Sequence, residues 1–213
     1  MHLARRAWCR TYQTVFRIAL PILPYTEPRI LEHAEDVPAM LQKRSIQKVL
    51  IVTDPGIARL GLTASLERAL AAQGIGVTVY AETRANPTVS NVEEAAALYR
   101  ENDCRAIIGF GGGSAMDCAK GVGARIAQPN KPINKMRGLL RVHRLLPLLI
   151  AVPTTSGTGS EVTLAAVITD DETHYKYPIN DFVLIPRFAV HDPEFTRGLP
   201  ASITGQTGMD ALT

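Results

Sequence analysis

The sequence predicts an α/β protein, a doubly wound and mostly parallel Rossmann-like sheet, and three observations predict it. Short apolar, β-branched runs recur with amphipathic helical stretches between them, the links joining them are short, and two of the runs end in loops of small residues. With 213 residues, 46% of them hydrophobic and 20% charged, the chain has ample material for a buried core.

Lys48-Val-Leu-Ile-Val-Thr53 has the composition of a parallel strand covered on both faces. A helix is predicted from about Gly56 to Gln73, where Leu60, Leu66, Leu70 and neighbouring alanines form an apolar stripe. Strand follows over Ile75 to Tyr80, helix over Ser90 to Asn102 with Ser90 as its N-cap, and strand over Arg105 to Phe110. Leu146 to Val152 is a fourth strand. Gln128 to Arg144 reads as a basic connecting loop, and the extended pieces from Leu164 to Val190, around Pro178 and Pro186, read as β-ribbon or edge structure.

Residues 1–27 stand apart, with Arg5, Arg6, Arg10 and Arg17 and no acid before Glu27. Trp8, Tyr12, Val15, Phe16, Ala19 and Leu20 approximate one helical face, which reads as an amphipathic helix folded onto the domain. An Arg-rich, acid-free start also suits a mitochondrial transit peptide or a helix lying on a membrane surface, beside a default cytoplasmic reading. Arg17, Pro21 and Pro24 interrupt any membrane span. A net charge of +3, scattered and without aromatic interleaving, excludes the nucleic-acid-binding class. Cys9, Cys104 and Cys118 show no CxxC spacing and leave an odd thiol, so neither a disulfide framework nor a zinc knuckle is predicted.

Chemistry concentrates at the ends of the strands. Gly111-Gly-Gly-Ser-Ala-Met-Asp-Cys-Ala-Lys120 directly follows a strand, and its glycines free successive backbone N–H groups at a helix start, where a phosphate can sit. A tight turn is the plain alternative. Asp117 and Lys120 read most simply as solvated helix residues. Pro153-Thr-Thr-Ser-Gly-Thr-Gly-Ser-Glu161 sets four hydroxyls and two glycines at the end of another strand, where ligands of open α/β sheets collect; a Ser/Thr-rich turn capping a helix is its alternative. Asp54 closes the first strand. By itself it is a turn-initiating aspartate before Pro55-Gly56, although an acid there can also accept from ribose hydroxyls and repel a 2′-phosphate. Asn86-Pro87-Thr88 is, alone, an ordinary turn.

Val49 to Asp54, Asn86-Pro-Thr88, Gly111 to Lys120, Pro153 to Thr163 and Ala189 to Thr213 together resemble, in order and spacing, the iron-containing (group III) alcohol dehydrogenase family. The resemblance covers nearly everything after residue 45. It implies an α/β domain over 28–200 followed, from 201, by the opening of an all-helical metal-binding domain. By the same resemblance Gly112, Gly113 and Ser114 meet a pyrophosphate, Thr154, Thr155 and Thr158 surround the phosphates and nicotinamide side, Asp54 meets ribose, and Asn86 lies near the adenosine end. Asp117 is counted with these cofactor-binding residues, and so is Lys176, where the family often has a lysine facing cofactor or substrate.

The implied activity is hydride transfer between NAD and a primary or short-chain alcohol or its aldehyde, assisted by a divalent metal, iron first and zinc second, in a homodimer or higher oligomer. Asp210 would be the first of four metal ligands. The family's histidine four residues on would fall past Thr213, so the expectation is an N-terminal portion that is inactive alone. Two features depart from the family. Glu32-His-Ala-Glu-Asp36 replaces a glycine-containing turn, and His2, His33, His143, His174 and His191 do not occupy ligand positions. The alternatives are a non-catalytic nucleotide-binding module and a glycerol dehydrogenase-like or dehydroquinate synthase-like activity.

Overall fold

A computed structural model describes residues 8–11, 13–14, 17–18 and 25–212. Of the apolar N-terminal face, Trp8 is helical and exposed, while Tyr12, Val15, Phe16, Ala19 and Leu20 lie outside the described residues. Among the described residues no helix is long and apolar enough to cross a membrane. The three cysteines are free thiols.

The strands, in chain order, are β1 (Arg29–Leu31), β2 (Lys48–Val52), β3 (Gly76–Tyr80), β4 (Ala106–Gly111), β5 (Gly138–Leu139), β6 (Leu148–Pro153), β7 (Ala165–Thr169), β8 (Lys176–Asn180) and β9 (Phe188–Val190). Six of them form one sheet in the order β1-β9-β6-β4-β2-β3, every neighbouring pair parallel. Strand periodicity divides its side chains between two cores. Val49, Ile51, Ile108, Phe110, Ile150 and Val152 face one side; Leu50, Val52, Ile107 and Leu149 face the other. Both faces are covered, which is why these strands read as unbroken apolar runs.

On the first side lie α1 (Asp36–Gln42), α2 (Pro55–Arg59) and α3 (Ala64–Ala72), through Val37, Leu41, Ile57, Leu66 and Leu70. On the second lie α4 (Val89–Glu101) and α5 (Gly113–Ala127), through Val92, Ala95, Ala96, Cys118, Ala119 and Val122. The single helix predicted over 56–73 is two, because Gly61 takes a left-handed φ of 66° and turns the chain between them, leaving Leu60 exposed. The next helix is capped by Thr88, not Ser90: the Thr88 hydroxyl accepts from Asn91 N–H while the Asn91 side chain accepts from Thr88 N–H.

β7 and β8 form an antiparallel hairpin, with β5 added parallel to β8, in a small second sheet packed against α5. The ribbon expected between 164 and 190 is thus present, with one correction. β9 is an interior strand of the main sheet, between β6 and β1, and Phe188, Ala189 and Val190 are all buried there. Two short helices end the described chain, α6 (Glu194–Arg197) and α7 (Ala201–Leu212). The chain steps outward from β2 to β3, then returns across β2 to β4. Successive connections therefore diverge above the carboxyl ends of β2 and β4, and such a switch point leaves a crevice.

Candidate nucleotide-binding cleft

A cleft of about 1020 Å³ occupies that crevice. Each wall is a segment leaving the carboxyl end of a strand: Asp54–Ile57 after β2, Glu82–Ala85 after β3, Gly112–Ala115 after β4, Thr154 and Thr155 after β6, and Phe195, Leu199 and Ile203 beyond β9. Gly112 is the N-cap of α5 and no side chain caps that end. First-turn N–H groups have no intrahelical acceptor, so Gly113, Ser114 and Ala115 present donors at the positive end of a 15-residue helix. Opposite them the Thr155 hydroxyl is buried with no hydrogen-bond partner. A Cβ on Gly112 would lie 3.5 Å from the Thr155 methyl, and one on Gly113 would lie 3.5 Å from Thr158. The two small-residue loops thus face each other at side-chain distance, and side chains on the glycines would fill the gap.

Asp54 satisfies both readings of the sequence. Its Oδ1 accepts from Gly56 N–H at 2.8 Å and Ile57 N–H at 3.0 Å, capping α2, while the residue lines the cleft. Asn86 and Lys176 stand beside the cleft wall rather than in it. Lys176 Nζ donates to Asn86 Oδ1 at 2.9 Å, and Asn86 N–H donates to the hydroxyl of Ser114 at 3.3 Å, so the hairpin β7–β8 is tied through Asn86 to the start of α5. Thr169 N–H donating to Pro87 carbonyl adds a backbone tie.

One organising residue escaped the sequence reading. Buried Asn91 accepts at Oδ1 from Arg84 and Thr88 N–H and donates from Nδ2 to the Tyr80 hydroxyl and the Glu82 carbonyl. A single amide thereby ties both ends of the cleft-lining loop after β3. The signal was available as Thr88-x-x-Asn91, the spacing of a capping box. Tyr80 in turn donates to Glu94 at 2.6 Å, and burial, with that bond, pushes its phenol far above its ordinary range.

Lys120 is not solvated, Asp117 is half-buried, and Asp117 does not line the cleft. Lys120 is fully buried, and its Nζ donates to Ser160 Oγ, Thr163 carbonyl, Thr163 Oγ1 and Ala165 carbonyl at 2.8–3.3 Å. Asp117 accepts from Ser160 Oγ at 2.9 Å and Val167 N–H at 3.0 Å. Burial lowers the Lys120 pKa to about 8 against the opposing pull of Asp117 and Glu161, and burial raises that of Asp117. The solvated expectation failed because the acceptors lie some forty residues away in the chain.

Asp210 is exposed on α7. That helix crosses the threonine loop, where Gly157, at a φ of 137°, lies directly against the Thr207 backbone with no room for a Cβ. Among the described residues no group of three or more His, Cys, Asp or Glu side chains could hold a metal ion. His191 Nε2 lies 3.8 Å from Glu161 Oε1.

Comparison with known proteins bears on these features. The family described as iron-containing alcohol dehydrogenase matches residues 30–193. Alcohol dehydrogenase 4 of Schizosaccharomyces pombe is 40% identical over 173 residues, 81% of this chain and 41% of that protein. Among solved structures, the alcohol dehydrogenase from Oenococcus oeni superposes with a TM-score of 0.82 at 34% identity, covering 87% of this chain and 50% of its own. The sulfoacetaldehyde reductase from Bifidobacterium kashiwanohense, solved in complex with NAD+, gives 0.76 at 31% identity, with 87% and 50% covered. The chain spans about half the length of the relatives it matches. Five motifs in register, the parallel sheet with its carboxyl-end cleft, and these matches agree: the chain belongs to the iron-containing alcohol dehydrogenase family.

Proposed function

We propose that this chain is the NAD-binding part of a metal-assisted alcohol dehydrogenase acting on a primary or short-chain alcohol or its aldehyde. The observation that carries the reading is the uncapped start of α5 facing the unpartnered Thr155 hydroxyl inside the cleft. Backbone N–H groups of Gly113 and Ser114 would hold a pyrophosphate, and the Thr155 hydroxyl would donate to it. Asp54, with Oδ1 engaged in its cap, has Oδ2 for a ribose hydroxyl. Phe195, Leu199 and Ile203 make the opposite wall apolar and would exclude water from the nucleotide. When bound, NAD supplies a hydride acceptor for alcohol oxidation.

Among the described residues Asp210 belongs to no group of three or more His, Cys, Asp or Glu side chains that could hold a metal ion. The test is calorimetric titration of the protein with NAD and with NADP. Saturable NAD binding, tighter than NADP binding, is expected; no binding of either nucleotide would overturn the proposal.

A further inference from the structure

Lys120 is the least expected residue in the fold. Lysine is among the residues least often fully buried, and an ammonium is expensive to remove from water unless every proton finds an acceptor. Here four oxygens surround three protons, and two of them are the backbone carbonyls of Thr163 and Ala165. Asp117, one helical turn earlier on the same face of α5, holds Ser160 by its hydroxyl and Val167 by its N–H. The segment gripped in this way, 160–167, continues directly from the threonine loop. Thr158 Oγ1 accepts from Ser160 N–H at 3.4 Å, and Thr158 itself stands against Gly113. The grip therefore begins two residues from the point where the loop meets the start of α5.

We infer that Lys120 is a positioning residue: with Asp117 it locks segment 160–167 onto α5 and so fixes the spacing between the threonine loop and the glycine turn across which a nucleotide's phosphates would lie. An apolar side chain of equal length would fill the same volume. What the ammonium adds is directional bonds to specified carbonyls, which set the register of the loop against the helix. The inference rests on the nucleotide reading of the cleft, and its test separates the two.

The measurements are backbone hydrogen exchange without nucleotide and calorimetric titration with NAD, on the protein carrying Lys120→Met and, separately, Ser160→Ala, which removes the hydroxyl shared by Asp117 and Lys120. Faster exchange confined to residues 154–165 is expected in both. The Kd for NAD should rise about tenfold in Lys120→Met and about threefold in Ser160→Ala, the scale of one or two lost charge-assisted bonds. Unaltered exchange in 154–165 would overturn the lock whether or not NAD binds, and loosened exchange with an unchanged Kd for NAD would overturn its positioning role. A wild-type protein that binds no NAD overturns the cofactor reading instead, and this inference with it. Should Lys120→Met fail to fold, Ser160→Ala decides by the same criteria.

Discussion

Gly112 and Thr155 face each other across the seat at the start of α5, and Gly112 has φ and ψ values of −78° and −172° that any residue can adopt. Gly112→Val should therefore fold while placing its methyls where a phosphate would lie. At least a tenfold loss of NAD affinity with a melting temperature within a few degrees of wild type is expected; equal losses of both would mark the glycines as a plain turn. Asp54→Asn keeps an acceptor for Gly56 and Ile57 N–H but removes the charge. It should narrow the preference for NAD over NADP with little effect on stability, and an unchanged ratio of the two affinities would take Asp54 out of the ribose site. Both residues were legible in the sequence because their chemistry is local: a glycine run after a strand, an acid before Pro-Gly. Lys120 was not. Nothing around it in sequence reveals burial when its acceptors belong to Ser160, Thr163 and Ala165.

At the scale of elements, strands were read more reliably than helix boundaries. β2, β4 and β6 are covered on both faces and so are apolar apart from the exposed Lys48 that opens β2, a pattern that tertiary packing enforces. β9 was misplaced because three residues, Phe188 to Val190, carry no period, and only their insertion between β6 and β1 makes them interior. The break at Gly61 was concealed by leucines on either side that continue a helical stripe. α4 shows how a cap serves function: Asn91, in its first turn, holds the loop 82–88 by three hydrogen bonds and the Tyr80 hydroxyl by a fourth. Asn91→Leu leaves Arg84 N–H, Thr88 N–H and the Glu82 carbonyl without that partner. A loss of about 2–4 kcal/mol in urea unfolding is expected, from buried groups worth roughly 1–3 kcal/mol each, together with weaker NAD binding. A loss below about 1 kcal/mol would show that water replaces the amide.

For the whole molecule, the buried lysine gives stability a pH dependence of definite sign. Its pKa falls from 10.5 in the unfolded chain to about 8 in the fold, so between those values the unfolded chain binds more protons and stability rises with pH. The contribution amounts to about 3 kcal/mol across the window, with the full penalty of the charged form present below about pH 8. Comparing wild type with Lys120→Met from pH 7.5 to 10.5 cancels the other titrating groups. The wild type should gain on the variant as pH rises, and parallel curves would contradict the assignment. Residues 1–213 prepared alone should contain no stoichiometric tightly bound metal by elemental analysis, since one carboxylate on α7 cannot enclose an ion; a full equivalent of metal would reveal ligands that the described residues do not show.

The order of the sheet also governs how this protein is made. β1 sits at the sheet edge with β9 as its neighbour, Arg29 opposite Phe188. During synthesis β1 must wait for β9, an interval on the order of ten to thirty seconds at about 5–20 residues per second. Throughout it Ile30 and Leu31 lack their partners on β9, Ala189 and Val190. Long-range parallel pairing of this kind slows folding and exposes edges on the way. Slow codons or bound chaperones between residues 31 and 188 therefore act on a nascent chain whose sheet is still open at the side that closes last.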